Sequence, residues 1–394
     1  MKLQGLRVVD LSQFLPGPLI AMMMADHGAE VIKIENPSAP EPSRRIGPTV
    51  DGASVYFRNT QRGKKSVALD LKKPAAREVL LRLCARADVV LESFRPGVAD
   101  RLGIGARALR AQAPGLVYCS ISAFGQQGSW RERPAHDLSV QALAGHLSLG
   151  LGGDGAPVNP GTPSADVTSA MTALSAILMA LFRRATTGQG DSIDIAMYDS
   201  IFAWSTLGLE EVFGRGEAPV PGRMRIFGGA AFYRPYKTKD GKFVTLGGSE
   251  LKFAENLLNA LGRPDLIALA KKPFGPDQAP LRAFLSDVFL ARTRDEWTAW
   301  FADKDVCFAP VLDMMEAIEH PLATERGMVL RDESGHRHVG PPIKFADEPA
   351  RPCFALPEVG ADSRKVLGDL GYGTAEIAAL EAEGAVTTKP ASKA

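Results

Sequence analysis

The sequence predicts an α/β protein, with a Rossmann-like, doubly wound parallel sheet domain and a smaller α+β domain after it. Three observations predict this. Short apolar runs alternate with helical patterns across the first 125 residues, the signature of βαβ units. A stretch rich in Gly, Pro and charge at 214–222 interrupts that pattern and reads as a linker. Beyond it, two strand-like runs flank Asp240-Gly241, a strong hairpin signal. The expected organisation is a large domain over 1–213, a linker at 214–222 and a small domain over 223–325. A segment over 326–394 is expected to return and pack on the large domain, ending in a disordered tail.

Taken in order, Arg7-Val8-Val9-Asp10-Leu11 reads as a strand, Pro16-Gly17-Pro18 as a turn, and Leu19 to His27 as a Met-rich helix. Glu30 to Ile34 is the next strand and Ser66 to Leu71 another. Pro74 opens a helix that runs to Arg86, with proline in the first turn where its missing N–H costs nothing. Asp88 to Glu92 and Leu116 to Ile121 are short buried strands. An apolar run from Met171 to Arg184 predicts a helix, Ser192 to Ile195 a strand, and Tyr198 to Phe213 a helix. In the second unit, Phe232 to Lys237 pairs with Phe243 to Gly247. Helices follow to Phe301, then a strand at Cys307 to Leu312.

Composition excludes several functions. The net charge of +1 gives no broad basic field for nucleic acid or an anionic membrane. Four cysteines, at 84, 119, 307 and 353, form no CxxC pair, so neither a zinc ribbon nor a dithiol site is expected. Polar residues interrupt the longest apolar stretches, so no membrane span is expected. The chain runs from Met1 straight into a strand pattern, with no expected signal peptide. Together these place the protein, as an expectation, in the cytoplasm with reduced thiols.

Ligands of doubly wound sheets bind beyond the strand C-termini. Leu15-Pro16-Gly17-Pro18 stands where a nicotinamide-binding chain carries GxGxxG, which argues against a dehydrogenase. The chemistry concentrates further on. Asp166 lies after a loop, at the mouth of the apolar helix, and His136 lies thirty residues upstream. A carboxylate and an imidazole brought together in an apolar cleft can serve as nucleophile and partner, or as two acid–base groups. Structural roles compete: Asp166 as a helix cap, His136 as a turn residue beside Asp137, Glu250 as a helix start. His146, His320, His336 and His338 show no chemical partner in the sequence.

Several motifs, in order, resemble the class III CoA-transferases (CaiB/BaiF type), the family that also holds the α-methylacyl-CoA racemases. They are Leu6 to Leu11 with Pro16-Gly17-Pro18, Gly28 to Glu35, Asn59, Arg62, Lys64-Lys65-Ser66, Leu69 to Lys72, Glu92 to Gly97, and Gly188-Gln189-Gly190. The resemblance implies an interlocked homodimer that binds coenzyme A as an acyl-CoA substrate and uses no metal. It implies that Arg62, Lys64, Lys65 and Arg95 hold CoA phosphates near strand ends. A transferase would move CoA between an acyl-CoA and a carboxylic acid, through an aspartyl anhydride and thioester on Asp166. A glycine-rich loop such as Gly228-Gly229 or Gly247-Gly248 would cover that site. A racemase would use His136 and Asp166 on opposite faces of the acyl α-carbon, with Glu250 nearby. His136 and Glu250 resemble the racemases, whereas Asp137 to Ala142 and Ala165 to Thr168 resemble the transferases. Leu15 departs from the Gln of formyl-CoA transferases, and Asn36 from an Arg of the racemases.

Overall fold

The computed structural model describes residues 1–388. The chain divides into two compact units: Met1–Ala144, Gly161–Trp204 and from Leu322 onward in the first, Gly145–Pro160 and Ser205–Pro321 in the second. Residues 145–160 and 205–213 therefore group with the second unit, and not with the large domain that the sequence suggests.

The first unit is built on a seven-stranded sheet. Its order is Val386–Thr387, Lys65–Leu69, Glu30–Glu35, Arg7–Leu11, Val89–Glu92, Val117–Ser122, Ser192–Ala196. The last six pair in parallel. Numbered along the chain they run 3-2-1-4-5-6, the doubly wound order, with its switch point between Arg7–Leu11 and Val89–Glu92. These strands are near-continuous Val, Ile and Leu because helices cover both faces. One core layer includes Val9, Ile32, Val67, Leu80 and Val90. The other includes Val8, Ile20, Met23, Met24, Val89 and Ala173.

Three local readings change. Pro16-Gly17-Pro18 is the first turn of helix Pro16–Asp26 and not a separate turn, in keeping with the preference of proline for that position. Gly17 is required there, since a Cβ would overlap the Ser12 side chain. The Tyr198 to Phe213 pattern is two helices, Met197–Ala203 and Thr206–Arg215. The last ten residues are not all tail. Val386–Thr387 pairs antiparallel with Lys65–Leu69, and Ala385 and Val386 are buried. The rest of the expected tail, 389–394, lies outside the described residues.

Helix Ser164–Thr187 is long and apolar enough, by length and composition, to cross a membrane. Its Ala170, Ala173, Leu174 and Ile177 nevertheless pack in the core of the first unit.

The second unit has a three-stranded antiparallel sheet, Phe308–Pro310, Phe243–Gly247, Tyr233–Lys237. The hairpin turn at Asp240-Gly241 forms as the sequence predicts, with Gly241 at φ 78°. Helices Leu251–Ala260, Ala279–Phe289 and Arg294–Phe301 pack on the sheet through Leu257, Leu285, Phe289 and Trp297.

Candidate active site

Two helix N-termini meet in the first unit. His136 occupies the N-cap position of helix Asp137–Leu143. Asp166 is the third residue of helix Ser164–Thr187, whose N-cap is Pro163, so Asp166 lies inside the first turn and does not cap it. Asp137 joins the two. Its Oδ1 accepts from the amides of Ala165 at 2.7 Å and Asp166 at 3.2 Å, and its Oδ2 accepts from Gln141 Nε2 at 2.6 Å. Both Asp137 oxygens are therefore engaged in holding the helix starts together. The imidazole of His136 and the carboxyl of Asp166 hang from adjacent helix ends, His136 exposed and Asp166 half-buried.

Burial, reinforced by the charge of Asp137, pushes the Asp166 carboxyl up to about 7. No cation offsets the desolvation of Asp166, unlike that of a salt-bridged carboxylate. A carboxyl that titrates near neutrality can both give and take a proton. Tyr56, on helix Val55–Gln61, is raised to about 12 by burial and by the charges of Asp166 and Glu41. That places a phenol close to Asp166.

A second feature lies at the C-terminal end of the sheet. A cleft of about 380 Å³ is walled by Leu11, Ile34, Leu69, Leu71, Phe94 and Val98, with Gln13, Asn36 and Lys72 at its polar edge. It straddles the ends of the strands at the switch point, where doubly wound sheets bind ligands. Its neighbour Arg95 is exposed, and its side chain has no hydrogen-bond or ion-pair partner among the described residues.

Three of the four cations expected at phosphates have carboxylate partners within the fold. Arg62 is buried and grips Asp26 through Nη2 at 2.6 Å and Nε at 3.2 Å. Lys64 is buried against Asp10 at 2.9 Å, Gln61 at 2.7 Å and the Pro18 carbonyl at 3.0 Å. Burial brings the Lys64 ammonium down to about 8 despite Asp10. Lys65 pairs with Glu30, which also binds Arg7 at 2.7 Å. Buried charges must be paired, and here the partners come from two strands, through Asp10 and Glu30, and from the end of helix Pro16–Asp26.

Glu250 belongs to the second unit. It is exposed, at the N-cap position of helix Leu251–Ala260, and makes no side-chain capping bond. Gly228-Gly229 and Gly247-Gly248 lie in that unit too. At Gly248 a Cβ would press on Phe253 and Cys307. Met22, Met23 and Met24 are all buried and serve packing.

The remaining histidines do have partners. His146 Nε2 meets Ser205 Oγ at 2.8 Å. His336 sits between Asp332 at 2.8 Å and Asp51 at 2.7 Å, and His338 meets Asp332 at 3.1 Å. Among the described residues, no group of three or more His, Cys, Asp or Glu could hold a metal ion. The sequence pattern points to the strand ends where Gln13 and Phe94 lie, but not to Phe14, Glu41, Tyr56 or Lys72.

Comparison with known proteins gives a consistent result. The sequence profile described as CoA-transferase family III matches residues 3–363. The chain is 37% identical over 392 residues to the alpha-methylacyl-CoA racemase of Homo sapiens, covering 97% of each protein. It is 30% identical over 397 residues to the succinyl-CoA:glutarate CoA-transferase of Mus musculus, covering 98% of this chain and 90% of the relative. A crystal structure of a CAIB/BAIF family protein from Brucella suis superposes with a TM-score of 0.80 at 29% identity. The superposition covers 93% of this chain and 99% of that one.

Proposed function

The chain belongs to CoA-transferase family III, and we propose that it moves the α-proton of an acyl-CoA thioester, inverting a 2-methyl-branched acyl centre. The observation that carries this reading is an Asp166 carboxyl pushed up to about 7 at a helix start that Asp137 ties to the helix start carrying His136. Proton removal from a carbon next to a thioester needs a base and, for inversion, an acid on the opposite face. The carboxyl has the right protonation balance at neutral pH to play either part, and the imidazole supplies the other. One group takes the α-proton and leaves an enolate, and the other delivers a proton to the far face. The substrate class follows the 37% identical human racemase by name. The CoA nucleotide would enter the cleft at the sheet end, with Lys72 and Arg95 at its phosphates. Gln13 of that cleft adjoins Phe14, which packs against His136 at 5.8 Å between ring centroids.

The second reading, CoA transfer through an acyl or CoA adduct on Asp166, is favoured by one observation. Asp166 sits in the first turn of a 24-residue helix, where the dipole supports a carboxylate nucleophile. One experiment separates the two. The protein is incubated with 2-methylacyl-CoA in D2O, deuterium at the α-carbon is followed by proton NMR, and intact protein is examined by mass spectrometry with hydroxylamine trapping. The expected result is exchange that requires both His136 and Asp166, with no adduct. A hydroxylamine-sensitive adduct on Asp166 without exchange would reverse the order of the two readings.

We also propose a homodimer. Met179 and Phe182, on helix Ser164–Thr187, are 70% and 81% exposed, and a second copy would cover such an apolar strip. Sedimentation at the mass of a single 42.1 kDa chain at micromolar concentration would exclude it.

A further inference from the structure

Among the described residues, Phe14 is one of two non-glycine residues in the left-handed backbone region, at φ 65°. A bulky residue there is disfavoured sterically and persists only where its surroundings hold it. Packing does not explain it, because the ring is 41% exposed. What holds it is an acidic side chain from another loop. The Phe14 amide donates to Glu41 Oε1 at 3.1 Å, and the Ser43 amide donates to the same oxygen at 3.2 Å. Glu41 is buried, and its Oε2 lies 2.9 Å from the buried ammonium of Lys33. Lys33 in turn donates to the carbonyl of Ser12, two residues before Phe14. The Glu41 amide is anchored on Glu35 at 3.1 Å, and Glu35 is clamped by Arg44 at 2.6 Å. The result of this chain of contacts is that the Phe14 ring stands edge-on to His136, at an interplanar angle of 84°.

We propose that Glu41 is a positioning residue for His136. Its buried carboxylate, fixed by Lys33, holds the Phe14 backbone in the left-handed conformation and so presses the Phe14 ring against the imidazole. An exposed imidazole at a helix N-cap would otherwise sample several rotamers. An edge-on aromatic neighbour restricts it at little entropic cost to itself. Orientation of a proton-transfer group affects the chemical step more than substrate binding. The catalytic significance rests on the proton-transfer reading of the site; the positioning itself does not.

The test uses Glu41→Gln, Phe14→Leu and Phe14→Tyr in the full chain. The imidazole Cε1–H signal of His136 is assigned by its loss in His136→Gln. A neighbouring ring displaces that signal, so Phe14→Leu and Glu41→Gln should both move it, in the same direction, while Phe14→Tyr leaves it in place. In α-deuterium exchange, Phe14→Leu and Glu41→Gln should each lower kcat roughly tenfold with KM within about twofold, and Phe14→Tyr should restore the rate. A His136 signal that Glu41→Gln leaves unmoved overturns the proposal. So does a kcat unchanged in Phe14→Leu, an exposed position that leaves the fold intact, when the parent exchange depends on His136. If the signals move as expected but exchange in the parent does not need His136, the proton-transfer reading fails and the coupling stands.

Discussion

Asp10 and Asp166 are both sheltered carboxylates of the first unit, and the fold drives them in opposite directions. Asp10, at the end of Arg7–Leu11, is fully buried, yet it is held down at about 2. Desolvation pushes it up, but Lys33, Lys64 and the Ser12 hydroxyl more than offset that. Asp166 is less buried and is pushed up to about 7, because burial and the charge of Asp137 act on it without a cation. Compensated burial fixes the ends of strands; uncompensated burial leaves a group whose protonation changes at working pH. The same contrast divides the cations. Arg62 and Lys64 are matched by Asp26 and Asp10, while Arg95 is left to solvent.

The sharpest break of this comparison is at Asp166 itself. Asp166→Asn should lower α-proton exchange by about 10³-fold or more, with acyl-CoA binding retained, since it removes one of two proton-transfer groups. Asp10→Asn should act on the fold instead. Its loss leaves the ammoniums of Lys33 and Lys64 short of a partner in a dry site, at a cost of about 3–5 kcal/mol in urea unfolding. An Asp10→Asn protein as stable as the parent would show that the ion network is not what secures the strand ends.

The next contrast is in pH dependence. Folding raises the Asp166 carboxyl from 3.8 to about 7, so the fold favours its protonated form. That contribution to stability is fully present below pH 3.8 and is lost as pH rises through about 7. Asp166→Asn removes the loss. The variant should match the parent at pH 3.8 and below, and exceed it at pH 8 by about 1–3 kcal/mol, after discounting for partial exposure. The opposite slope belongs to Asp10, whose contribution is present above 3.8 and falls away toward pH 2. Equal denaturant midpoints for parent and Asp166→Asn at pH 8 would mean that Asp166 is better solvated than its surroundings indicate.

This division also explains what could be read from the sequence. The parallel sheet was legible because strands covered on both faces are nearly all apolar, as in Val89–Glu92, and because proline marks helix starts such as Pro74. Asp166 was legible from its place before an apolar run. The fate of Arg62, Lys64 and Lys65 was not, since a lysine beside a strand end looks the same whether its carboxylate partner lies 54 positions away, as Asp10 does from Lys64, or is absent. Asp137 is visible in the sequence as the neighbour of His136, but its bonds to Ala165 and Asp166 are a tertiary fact. The left-handed Phe14 was hidden for the same reason: nothing local in Gln13-Phe14-Leu15 calls for it, and Glu41 imposes it from another loop.

The smallest expected effect tests the cation half of the comparison. Arg95 follows a strand end beside the cleft, and a free guanidinium there can meet a phosphate without first giving up an internal carboxylate. Arg95→Ala should raise KM for the acyl-CoA about three- to tenfold with kcat unchanged, because a phosphate contact far from the reacting carbon binds ground and transition states alike. The difference should shrink as salt is raised, since an exposed pair is screened. Arg62→Ala should do the reverse. It strands the buried Asp26 carboxylate and lowers stability, while any protein that remains folded keeps its KM. A KM that responds to Arg62 and not to Arg95 would move the phosphate site away from the cleft at the sheet end and toward Arg62.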